Sequence, residues 1–200
     1  MALGAKAPQE RRRLILSAAV DVLREKGFAG ARIADIASVA GTSPALVVYH
    51  FGSLDGALAE ALTTVEDAFY DEMAAAMPPG ADPPTRLRVL ADLGAQTGPA
   101  LGDWALWMEV WVRALRDAQA RALRRALDAR WRAALREILE AGVADGSWQC
   151  PDPAATAVRL AALMDGLAVQ VALGDPDVPA ASMAPAWLAS ASAELGVPLP

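Results

Sequence analysis

The sequence predicts an all-α protein of nine helices joined by short loops. Alanine, the best helix former, fills 47 of the 200 positions, and asparagine fills none. Apolar residues recur every three or four positions over long stretches, the period of a helix face. No run alternates apolar with polar as a half-wet strand does.

From Arg12 onward two rows, Leu14–Ala18–Val22 and Ile15–Ala19–Leu23, mark a first helix that Gly27 stops, with Phe28 as the apolar contact after the cap. A second covers about Arg32 to Ala40, with Ile33, Ile36, Ala37 and Ala40 on one face, and ends at Gly41. Ser43 offers a capping oxygen and Pro44 suits a first helical position, yet this third helix runs only to about His50. Two turns do not hold together alone in water, so neighbours must position them. Ser53 starts a fourth helix, Leu54 to about Met77, which "MPPGADPP" terminates. Later helices are expected over Thr85–Gln96, Asp103–Asp117, Ala118–Val143, Pro153–Leu173 and Ser182–Leu195, separated by "TGPALG", a tight junction near Asp117, "DGSWQCPD" and "GDPDVPAA".

Net charge is −6, unevenly spread: residues 1–53 carry +3 and the remainder −9, as in a polyanion-facing head on an acidic body. One cysteine, Cys150, permits no internal disulfide and is expected to be a bland buried thiol. The N-terminus lacks a signal peptide's apolar core, and charges, glycines or prolines are expected to interrupt every other apolar run before it spans a bilayer. A soluble cytoplasmic protein without membrane contact is therefore expected. One histidine and one cysteine leave no material for a His- or Cys-rich metal site, and no Gly-rich phosphate loop occurs. Glu66/Asp67 and Asp71/Glu72 are adjacent, point apart on a helix and read as solvated surface. No enzyme and no cofactor is expected.

Helix two, the turn "AGTS" and helix three have the proportions of a helix-turn-helix, whose second helix enters the DNA major groove. On "EKGFAGARI", "DIASVAGTS", "YHFGS" and Leu58, residues 12–62 resemble the DNA-binding domain of TetR-type transcriptional repressors. "WALWMEVWVRALRD" and "RLAALMDGLAVQVALGD" resemble the regulatory half of its BetI-like branch. The resemblance implies a DNA-binding domain over 1–56, with its helix-turn-helix at about 32–50, and a ligand-sensing and dimerisation domain over 57–200. By matched position, Val47 and Phe51 belong to the core. Pro44, Ala45, Leu46 and Val48 face the groove, and Tyr49 and His50 donate to phosphates. Thr42 and Ser43 add hydroxyls and Arg32 a cation, while Arg11 to Arg13 are either backbone contacts or a solvated tail.

Three positions depart from the family's habit: Leu54 where a lysine is frequent, Val48 where an aromatic is, and Ala34 where a polar residue is. The reading face thus lacks Arg, Lys, Asn and Gln, which removes bidentate base recognition from helix three. Thymine methyl contacts, DNA shape and half-site spacing remain.

The helix from Pro153 is apolar nearly all round and asks for a partner surface. Arg159, Leu163, Gly166, Leu167 and Gln170, with Trp187 and Leu188 of the last helix, are the expected interface of a two-fold homodimer that meets a palindromic double-stranded operator. Trp104, Trp107, Met108 and Trp111 share one helix face, either core or cavity lining. The resemblance implies a cavity for a small-molecule effector in this region. Glu109 beside aromatic faces would suit a cation, and Trp131 and Trp148 either join the cavity or pack. The expectation is a ligand-responsive repressor; the alternatives are an activator or a DNA binder deaf to ligands and, after these, a helical small-molecule-binding protein or enzyme.

Overall fold

A computed structural model describes residues 3–95 and 102–199. Among them the elements are α1 (Leu3–Gly30), α2 (Ile33–Val39), α3 (Pro44–Phe51), α4 (Leu54–Ala76), α5 (Pro83–Ala95), α6 (Gly102–Ala114), α7 (Ala118–Ala144), α8 (Pro153–Ala172) and α9 (Met183–Leu195), with a 3-10 turn at Ala180–Ser182 and no strand. The all-α expectation holds.

Helix ends fall where capping chemistry puts them. Asp35 Oδ2 accepts the Arg32 amide at 2.9 Å and starts α2. Ser43 Oγ accepts from Leu46 N at 3.3 Å, Ser53 Oγ from Gly56 N at 3.0 Å, and Asp152 Oδ1 from Ala155 N at 2.9 Å. α1 starts earlier than Arg12, reaching back to Leu3 with Pro8 in its second turn. Asp82 starts α5 at Pro83 rather than Thr85, its Oδ1 taking the Thr85 amide at 2.8 Å. α6 stops at Ala114 because Asp117, expected as its last residue, accepts from Gln119 N at 2.8 Å and caps α7 instead. The expected end of α5 at Gln96 and most of "TGPALG" lie outside the described residues.

The chain forms two compact units that share helices. Unit 1 holds the residues up to Ala68 together with Glu109–Leu123; unit 2 holds Phe69–Met108 and Arg124 onward. In unit 1, Ile15, Ala19 and Leu23 of α1, Ile36 of α2, Val47 of α3 and Leu58 of α4 are fully buried and form the core. Leu14, expected on α1's apolar face, is exposed. Arg12 bonds Glu60 of α4 and lies 4.8 Å over the Phe51 ring, tying α1 to both ends of the α3–α4 corner.

In unit 2, α5, α8 and α9 pack around Leu87, Leu90, Leu160, Met164 and Trp187. Trp187, expected at a subunit interface, is 0% exposed within the single chain and donates its indole N–H to Leu160 O at 2.8 Å. It is core and has no surface to give a partner. α8 corrects a second expectation: over its 20 residues it is long and apolar enough to cross a membrane by length and composition. Arg159 and Asp165 are too few to interrupt it, and 39% of its apolar stretch is buried in the fold.

Trp148 closes the end of α7. Its indole donates to Leu139 O at 3.0 Å, its amide to Gly142 O at 3.2 Å, and its ring lies flush on Gly142, where an added Cβ would overlap it. Fastened twice, the ring cannot step aside. Gly142→Ala should therefore cost about 1–3 kcal/mol by overpacking. A thermal melt unchanged from wild type would show that the ring is free to move.

Candidate functional site

α2 and α3 join through a corner in which Gly41 takes φ +60° and Thr42 N bonds back to Ala37 O at 2.9 Å. α3 buries Val47 and Phe51, as their spacing of four predicts, which turns its other face outward. There Pro44, Ala45, Val48 and Tyr49 are exposed, Tyr49 to 81%, while Thr42, Leu46 and His50 are half-buried. The Tyr49 and His50 rings meet edge to face at 5.1 Å. Ser43 is exposed but its oxygen already accepts the Leu46 amide. Arg32 is exposed, yet its Nη1 donates to Ala29 O at 3.0 Å and Ala31 O at 2.8 Å, which aims the rest of the guanidinium. Arg12 and Arg13, expected either as DNA backbone contacts or as a solvated tail, pair with Glu60 and Glu10.

The aromatic stripe of α6 divides. Trp104 is buried, Trp107 and Met108 are half-buried, and all three belong to unit 2. Trp111 is half-buried and belongs to unit 1. The fully packed row of α6 is the neighbouring one, Leu106, Val110 and Ala114. The indole N–H groups of Trp104, Trp111 and Trp131 are buried with no acceptor among the described residues. Such a group costs about 1–3 kcal/mol unless something accepts from it. In unit 2, Trp131 meets Phe69 edge to face at 5.9 Å, and its ring reaches Gly94.

Two acidic groups of unit 2 lie on α7 and α8. Asp128 stands one turn before Trp131 on α7 and pairs with Arg124 at 3.0 Å. Burial, and then repulsion from Asp128, push the Asp165 carboxyl of α8 up to about 6, against the pull of Arg124 and Arg132.

Glu109 does not stand free beside the aromatics. Its Oε2 accepts the amides of Phe28 at 2.6 Å and Ala29 at 3.2 Å. Sequence reasoning also misplaced Glu66, which is 7% exposed and not surface. It continues the buried row Leu58–Leu62 by one more turn, a signal that spacing alone carries. Of the expected interface residues, Leu163, Leu167 and Leu188 are half-buried and Gly166 and Gln170 exposed, whereas Arg159 is engaged by Glu194 at 2.7 Å. Val158 of α8 and Leu173 just past its end, at 49% and 71% exposed, add apolar surface. Cys150 is buried, with Thr156 Oγ1 3.5 Å from its sulfur.

Comparison with known proteins gives a consistent picture. Residues 15–62 match the family described as bacterial regulatory proteins, tetR family, and residues 83–195 match that of the BetI-type transcriptional repressor C-terminal domain. The HTH-type transcriptional regulator BetI of Rhizobium meliloti (strain 1021) is 28% identical over 166 residues, covering 82% of this chain and 78% of its own. A putative transcriptional regulator from Saccharomonospora viridis, solved in complex with choline, is 32% identical with a TM-score of 0.77, over 90% of this chain and 94% of that one. A putative TetR-family regulator from Rhodococcus sp. superposes with a TM-score of 0.81 at 25% identity, over 94% of this chain and 99% of that one.

Proposed function

Because the chain belongs to the TetR family of bacterial regulatory proteins, with a BetI-type C-terminal half, we propose that it is a cytoplasmic homodimeric repressor that grips a palindromic operator and releases it when a small organic cation binds in unit 2. It acts by binding, without catalysis or cofactor. The observation that carries this reading is the outward face of α3, where Val48 and Tyr49 stand exposed on a helix anchored by Val47 and Phe51. Pro44, Ala45, Val48 and Tyr49, the last 81% exposed, lie together on that one outward face, and a contiguous exposed apolar patch marks an interaction surface. Pro44, Ala45, Leu46 and Val48 form the groove-facing apolar surface. Tyr49, His50, Thr42, Ser43 and Arg32 supply donors to phosphates.

For the effector, unit 2 supplies aromatic faces from Trp104, Trp107, Phe69 and Trp131, with Met108, suited to cation–π contact. Asp128 and Asp165 supply negative charge that a cation would offset. The choline held by the Saccharomonospora viridis protein has this chemistry. Leu163, Gly166, Leu167, Gln170 and Leu188, with Val158 and Leu173, are the surface proposed for the second subunit. Effector binding would favour a dimer whose α3 helices are badly spaced for successive grooves.

The test is selection of duplexes from a random pool at low and moderate salt, followed by competition with choline chloride. A palindrome with half-sites about one turn apart, released by choline, supports the reading. Salt-sensitive retention without enrichment refutes it. Tyr49→Phe with His50→Ala should weaken binding about tenfold or more, since each removes a phosphate donor, and leave helicity and dimerisation unchanged. Binding equal to wild type would remove both residues from the interface.

A further inference from the structure

α6 is one unbroken helix divided between the two units, with Met108 the last residue in unit 2 and Glu109 the first in unit 1. Within unit 1, two residues one turn apart on it hold the two segments that bracket the helix-turn-helix. Glu109 takes the amides of Phe28 and Ala29, just before α2. Arg113 Nη2 pairs with Asp55 Oδ1 at 2.6 Å in the first turn of α4, just after α3. The same guanidinium lies 5.2 Å over the Phe28 ring.

The chain is built to receive the first of these holds. Gly27, at φ +65° and ψ −178°, breaks α1 and frees the amides that Glu109 accepts. A side chain at Gly27 would be strained by that φ and would overlap the Glu109 carboxylate. The contacts are charge-assisted and therefore directional. A crevice of about 30 Å³, bordered by Phe28, Asp55, Val110 and Arg113, lies beside them, so close packing does not wedge the junction.

We infer that Glu109 and Arg113 form a two-point grip through which the course of α6 sets the position of α2 and α3 as one body. The consequence for operator affinity rests on the repressor reading; the grip itself concerns unit 1 alone. A mere local cap would need Glu109 only, and its loss would be felt only around Phe28. A grip is felt at both brackets.

The experiment is hydrogen exchange on the full chain, wild type against Glu109→Gln, with Arg113→Gln as a second variant should the first lose helicity. Glutamine keeps the shape but removes the charge, and exchange should rise about tenfold over 28–31 and also across 33–56. A rise confined to 28–31 overturns the grip. On the selected duplex, Glu109→Gln should weaken binding to the palindrome about tenfold while leaving a single half-site unchanged, because only the palindrome tests spacing. An equal loss on both means the head itself is damaged, and also overturns it. If wild type does not distinguish palindrome from half-site, the repressor reading falls, and the exchange arm still decides the grip.

Discussion

Asp165→Asn should stabilise the protein at neutral pH by roughly 1–3 kcal/mol and flatten its stability between about pH 4 and pH 6. Burial, with Asp128 adding repulsion, raises the Asp165 carboxyl from 3.8 to about 6 in the folded chain. The folded state therefore holds this proton more tightly than the unfolded state does. Stability falls as pH rises through that window, and above it the ionised group carries its full penalty. Asparagine keeps the shape and removes the charge. Urea midpoints of both proteins at about pH 4.5 and about pH 7.5 give the difference; a variant less stable than wild type at the higher pH would show that the charge is compensated. Such a gain would fit a carboxylate kept for cation binding at a cost in stability.

Trp187→Ala should cost about 3–5 kcal/mol, the range for truncating a fully buried aromatic. Its ring is 0% exposed between α9 and α8, and its buried N–H donates to Leu160 O at 2.8 Å. Trp187→Phe keeps a buried ring but loses the indole N–H bond and leaves a void where the larger ring stood, so a smaller loss of about 1–3 kcal/mol is expected. Because the residue is internal, helicity and self-association should be lost together on denaturation. Dissociation of a still fully folded chain would contradict its place in the core.

The helices were legible because their ends are chemical. Ser43, Ser53 and Asp152 each accept an amide three residues on, a pattern written locally in sequence. The α3 face was legible for the same reason, since Val47 and Phe51 settle the orientation of eight contiguous residues. What escaped depends on distant partners. Glu109 reads as a free acid beside tryptophans until the Phe28 amide, 81 positions away, takes it up. Trp187 and Leu188 are equally apolar neighbours, and only the path of α8 decides that the first is buried and the second half-buried. Glu66 differs: its charge reads as surface, whereas its four-residue spacing from Leu62 places it on the buried row of α4.

Positions 27 and 109 bear on how the sequence can drift. Gly27 is constrained twice, by a backbone angle that side chains resist and by the carboxylate lying on it. Glu109 is constrained by amides that exist as free donors only because α1 breaks there. A change at either site alters what is tolerated at the other, so the two amount to one heritable character written in two places. Among variants of this protein, neutral substitutions at these sites should arrive as pairs.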